Sequence, residues 1–214
     1  ECGIATFTRN LSDAIENKFF STLRTKILAI NNNGVNIYNY PKKVILQVSD
    51  SEKKEYIEAA KKINHDQKIK LVCIQHEFGI FGGGDYGEHV ISLLENLKKP
   101  KIITFHSILS EPEKERVEVV RKISENVDGI IVMTDVGVEI LEKKYGISKD
   151  KIKMIPHGIP TVDFESQKNA KKQLGYEGKI ILSSFGMVNR GKGYEYVIKA
   201  LPEIVKKYPS LVYL

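Results

Sequence analysis

Short apolar runs recur through this chain with polar, helix-periodic segments between them. "KILAI" (26–30), "VILQV" (44–48), "LVCIQ" (71–75), "KIITF" (101–105), "GIIVM" (129–133) and "IKMIP" (152–156) are each the length of one strand. They are continuous rather than alternating, which is the mark of strands covered on both faces. Between most of them lie amphipathic helices. "TFTRNLSDAIEN" puts Phe7, Leu11 and Ile15 on one face. "EHVISLLENL" does the same with Val90, Leu93, Leu94 and Leu97, and "EKERVEVVRKISENV" with Val117, Val120 and Ile123. Repeated β-α-β units of this kind build a doubly wound, mainly parallel α/β sheet of the Rossmann type. The stretch from 31 to 43 is too short for a helix, so its flanking strands are expected to form either a hairpin or a short crossover.

A helix opening at Gly3 in such a fold should follow a strand. The expectation is therefore a first domain, residues 1–160, read without its first strand. Residues 161–178 are polar and lysine-rich, a linker carrying a short helix. The rhythm restarts at 179–214 with strand "KIILSSFG", helix "GYEYVIKALPEIVKKY" and strand "LVYL". This is expected to be the start of a second Rossmann-like domain, cut short.

No apolar run approaches the roughly 20 residues of a membrane span. Cys2 and Cys73 stand in unlike contexts, which favours a reduced, cytoplasmic protein and makes a poor zinc site. The net charge is +6, carried largely by lysine pairs from Lys42-Lys43 to Lys206-Lys207. A solvated surface accounts for most of them; the remaining readings are attraction to phosphate-bearing ligands or peripheral contact with an anionic membrane. Nucleic acid is not expected, because no stacking aromatics interleave the basic residues.

Three loops follow strands, where open α/β sheets bind ligands. The first is "IQHEFGIFGGGDYG" (74–87). Gly82, Gly84 and Gly87 spell G-x-G-x-x-G, but "HEFGIF" separates them from the strand, and no acid follows at the spacing a dinucleotide site needs. Position is the better guide: His76, Glu77, Gly82 and Gly83 are expected to face a ligand, with a plain turn as the structural alternative. The second carries His106 in "TFHSIL", fit to hydrogen-bond a polar substrate, and His157 in "IPHGIP" ends another strand. Their spacings match no compact metal motif. The third is "GMVNRGKG" (186–193), which opens a helix and adds Arg190 and Lys192 to its N-terminal dipole. It nearly spells a P-loop, but Gly193 stands where a hydroxyl would hold Mg²⁺. A metal-independent diphosphate site fits these residues better.

In their order and spacing, "CGIATFTRNLSDAI", "QHEFGIFGGGDYG", "TFHSIL", "VMTDVGVEIL", "IPHGI" and "FGMVNRGKGYEYVIKALPEIVKKYP" resemble the retaining GT-B glycosyltransferases of family 4. The resemblance implies an acceptor-side N-terminal domain and a donor-binding C-terminal one. It implies sugar transfer with retention of configuration, from a nucleotide-sugar donor to a carbohydrate or lipid-linked acceptor, with no cofactor and generally no metal. Lys192 matches the loop lysine that meets donor phosphates. His106 matches the catalytic-site histidine beside the donor sugar, and Gly3 the glycine that admits the phosphates. The family's loop arginine falls at Met187, so Arg190 is its expected substitute; His157 stands where many members have asparagine. The family's glutamate pair and most nucleotide contacts are expected beyond Leu214, so this chain is expected to be inactive alone. Three rivals remain: a non-catalytic sugar- or nucleotide-binding module of this fold, a P-loop-like nucleotide protein, and a sugar phosphorylase.

Overall fold

The computed structural model describes residues 3–32, 38–186, 188 and 190–214. The chain divides into two compact units, Glu1–Ile159 and Pro160–Leu214. The first opens with helix α1 (Gly3–Lys18), then strands β1 (Ile27–Asn31) and β2 (Val44–Ser49). Three strand–helix repeats follow after α2 (Lys53–His65): β3 (Val72–His76) and α3 (His89–Asn96), β4 (Lys101–Phe105) and α4 (Lys114–Glu125), then β5 (Gly129–Val132) and α5 (Asp135–Tyr145). Strand β6 (Ile152–Met154) closes the unit.

Every ladder among the described residues is parallel. The β1–β2 pair is therefore a crossover, and the hairpin alternative is excluded. The expected single sheet is two ladders in this unit, β1-β2 and β3-β4-β5-β6. Helix α2 joins them. It packs on β2 and on α3, and its buried Tyr56 donates to the Phe81 carbonyl at 2.8 Å.

Helices α2, α3, α4 and α5 pack in succession as one layer. Their inward faces supply Ala59, Ile63, Val90, Leu94, Val120, Ile123 and Leu141 to the core, which meet Ile74, Ile103, Ile130 and Val132 from the strands. Burying each large aliphatic chain stabilises the fold by about 1.5–3 kcal/mol before entropy is counted. Local signals end the helices where they should. Thr134 Oγ1 accepts from Gly137 N at 3.0 Å and caps α5; Gly146, at φ 68°, closes it in the left-handed region that glycine tolerates best.

Helix α1 stands apart from that layer and runs against the strand direction. Phe7, in its first turns, meets His106 and His157 past the ends of β4 and β6. At its other end Asp13 and Glu16 pair with Lys43, just before β2, at 2.8 and 3.1 Å. The second unit holds helix α6 (Gln167–Gln173), strand β7 (Ile180–Leu182), helix α7 (Tyr194–Lys207) and strand β8 (Leu211–Tyr213), with β7 and β8 paired in parallel. No helix among the described residues is long and apolar enough to cross a membrane.

Candidate site at the strand ends

Period-two geometry decides what β3 offers. Ile74 and His76 point into the helix layer; Cys73 and Gln75 point to the opposite face. His76 is accordingly 0% exposed. Its ring stacks on Phe81 at 5.5 Å and 15°, and meets Phe78 and Phe105 edge-on at 5.0 Å each. Neither ring nitrogen has a hydrogen-bond partner. Burial, and then the neighbouring His106, pushes its pKa down to about 3. The sequence placed His76 facing a ligand. Here it is a neutral core residue in a phenyl cage and presents no ring atom to the surface.

The glycine loop has internal reasons for its glycines. Gly82, Gly83, Gly84 and Gly87 all take positive φ. A Cβ at Gly82 would lie 2.1 Å from the Asp50 carbonyl oxygen, and one at Gly87 would lie 2.8 Å from the Phe78 carbonyl oxygen. At Gly83 a Cβ would meet the His89 ring at 2.5 Å. The loop is a tight turn seated on the β2–α2 junction and the start of α3. Arg116 from α4 clamps it from outside: its guanidinium lies 4.3 Å over the Phe78 ring and 4.9 Å over Tyr86, while Glu113 holds it at 2.8 Å.

The chemistry gathers one residue away, on the other face. His106 follows β4, and its backbone N–H donates to the His76 carbonyl at 3.0 Å, extending the ladder. Its Nε2 lies 2.9 Å from Gln75 Oε1. An amide oxygen only accepts, so the proton sits on Nε2 and Nδ1 is left as an acceptor. Burial holds the His106 pKa below its ordinary value; Glu77 opposes that shift and His157 adds to it. The ring is therefore neutral near pH 7.

Glu77 is fixed at both oxygens. Ser107 Oγ donates to Oε2 at 2.5 Å, and the Phe78 backbone N–H donates to Oε1 at 3.1 Å. Phe7 from α1 stands edge-on to His106, with centroids at 4.7 Å, and meets the exposed His157 at 5.1 Å. Gln75, Ser107 and Phe7 complete this group and were not singled out as site residues in the sequence. Gly3 starts α1 about one turn before Phe7, and a Cβ there would meet nothing within 4 Å. No group of three or more His, Cys, Asp or Glu side chains among the described residues could hold a metal ion.

The phosphate-loop candidates lie in the second unit. Arg190 and Lys192 belong to a short 3-10 turn ahead of α7, and Lys192 is exposed. Gly193 caps α7 at φ 71°, a conformation that disfavours the Ser or Thr of a P-loop. Met187, where the family arginine was expected, lies outside the described residues.

Comparison with known proteins adds three findings. Residues 32–163, more than half the chain, match the family described as Glycosyltransferase Family 4. That span includes His76, Glu77, Gly82, Gly83 and His106; Gly3, Arg190 and Lys192 fall outside it. Mannosylfructose-phosphate synthase from Agrobacterium fabrum (strain C58 / ATCC 33970) is 30% identical over 102 residues, covering 45% of this chain and 22% of that protein. The fold is similar to the crystal structure of HepE from Anabaena in complex with UDP. The TM-score is 0.54 at 12% identity, over 78% of this chain and 54% of that one. The match thus spans about a fifth of the curated relative's length and about half of the structure's.

Proposed function

Because this chain belongs to glycosyltransferase family 4, we propose that its strand-end cluster is the acceptor-side half of a sugar-transfer site. In this reading the complete protein moves a sugar from a nucleotide-sugar donor to a carbohydrate or lipid-linked acceptor, retains the anomeric configuration and needs no metal. The observation that carries it is the neutral His106. Its proton is directed to Gln75 at 2.9 Å, so Nδ1 is free to accept from a sugar hydroxyl. Its ring meets Phe7 at 4.7 Å, and Phe7 lies about one helical turn after the glycine that opens α1.

The bond that breaks joins the sugar to the donor diphosphate, and negative charge grows on the leaving group. Lys192 and Arg190 offset that charge electrostatically, aided by the N-terminal dipole of α7. Gly3 leaves the start of α1 without a side chain, so a diphosphate can approach its backbone N–H groups. Glu77, held by Ser107 and Phe78 N–H, presents a fixed carboxylate beside the acceptor.

Kinetics of the full-length enzyme test this reading. His106→Ala and Lys192→Ala are each expected to lower kcat/KM by about 10²-fold or more, the scale for losing one group that stabilises transition-state charge. Near-parental turnover in both variants would remove these residues from the mechanism. Saturable donor binding with no turnover in the parent protein would favour the non-catalytic binding module instead.

A further inference from the structure

From Asn17 to Ser49 the chain carries no Asp or Glu but five cations: Lys18, Arg24, Lys26, Lys42 and Lys43. Within that stretch the turn after α1 turns large apolar side chains outward. Phe20 is 70% exposed, and Phe19 and Leu23 are 47% exposed each. The turn is held in shape by its own backbone. Thr22 N and Leu23 N both donate to the Phe19 carbonyl at 2.9 Å, and the Arg24 guanidinium donates to the Leu23 carbonyl at 3.0 Å and to the Phe20 carbonyl. Three aromatic or aliphatic groups are thus displayed at the tip of an ordered turn.

The surrounding charge is mainly positive. Lys18, Arg24, Lys26 and Lys42 are all exposed. Lys26 directly precedes β1, and Lys42 lies in the turn just before β2, whose first residue Val44 is in register with Ile27. The acids that face the patch, Asp13 and Glu16, come from α1, and both are tied to Lys43. Glu16 also accepts from the Thr25 hydroxyl and backbone N–H, at 2.6 and 2.7 Å.

We infer that this turn is a docking surface for an anionic lipid bilayer. Exposed Phe and Leu side chains ringed by Lys and Arg suit the boundary between headgroups and acyl chains, where the apolar tips are buried and the cations meet lipid phosphates. A nucleic acid would satisfy the cations but leave the phenyl rings in water. The patch lies at the opposite end of α1 from the His106 cluster. From Phe7, which meets His106, to Lys18 at the patch the helix rises about 17 Å at 1.5 Å per residue. The membrane contact and the chemistry are therefore separate sites, and neither rests on the other.

Vesicle co-sedimentation tests it on the chain itself. The probes are phosphatidylcholine vesicles and the same vesicles with about 30% phosphatidylglycerol, in low salt and in about 1 M salt, where the Debye length falls to about 3 Å. The expected result is at least about tenfold stronger partition to the anionic vesicles, most of it lost at high salt. Phe20→Ser is expected to weaken partition about tenfold. Lys18→Glu with Lys26→Glu is expected to weaken it further. All of these positions are exposed, so the thermal melt should stay at the parental value. Equal partition to both vesicle types overturns the inference. So does parental partition by both variants, and so does binding of an RNA or DNA duplex with no binding to anionic vesicles.

Discussion

His76 shows how one side chain links packing to pH. The folded protein holds it neutral, with its pKa pushed down to about 3, whereas in the unfolded chain it takes a proton near pH 6.5. Between those values the unfolded state binds more protons, so stability rises with pH across that window and is lost as pH falls through it. The urea midpoint is therefore expected to drop between about pH 6.5 and pH 4. His76→Phe, which suits the phenyl cage, should flatten that drop; an unchanged slope would mean that another group carries it. Gly82→Ala combines a left-handed φ with a Cβ 2.1 Å from a backbone oxygen. It is expected to cost at least about 2 kcal/mol in urea titration. Gln75 acts through His106 as a positioning residue. In Gln75→Leu, nitrogen-15 NMR of the ring should show loss of the single Nε2–H form, and kcat should fall with little change in KM. In Gln75→Glu the carboxylate should restore the Nε2–H form and raise the His106 pKa. If the Gln75→Leu spectrum kept a pure Nε2–H ring, the positioning role would be gone, whatever the enzyme transfers.

At the scale of elements, the strands and the helices between them were legible because continuous apolar runs and 3.6-residue periodicity are strong signals. What could not be read was parity within a strand. Both faces of a buried parallel strand are apolar, so "LVCIQH" does not reveal whether Gln75 or His76 faces the site, and a shift of one residue exchanges them. That is why His76 was expected beside a ligand and Gln75 was passed over. The glycine loop misled for a related reason. Its glycines answer to Asp50 and Phe78, partners distant in sequence, and a motif carries no trace of such contacts. The β1–β2 link was open between hairpin and crossover because a stretch too short for a helix suits both; only the parallel ladder decides it. Helix ends were better marked. Thr134, with its hydroxyl on Gly137 N, is an N-cap, and Thr134→Ala is expected to destabilise the fold by about 1 kcal/mol. A change under a few tenths would show that the cap is redundant with the packing of α5.

At the scale of the whole molecule, two compact units share the proposed chemistry. The unit that ends at Ile159 carries His106, Gln75, Glu77 and the open start of α1. The unit that begins at Pro160 carries the basic turn before α7. Lysine pairs scattered through the sequence gave no hint of the local patch after α1, because its cations matter only beside Phe19, Phe20 and Leu23, and exposure is a tertiary property. The proposed chemistry begins with donor binding, so the most direct measurement is a titration of UDP-, GDP- and ADP-sugars into the full-length protein, with and without EDTA. The account predicts saturable binding of one nucleotide class, unchanged by EDTA and weakened by Lys192→Ala. Binding of none, or binding of ATP that needs Mg²⁺, would contradict it.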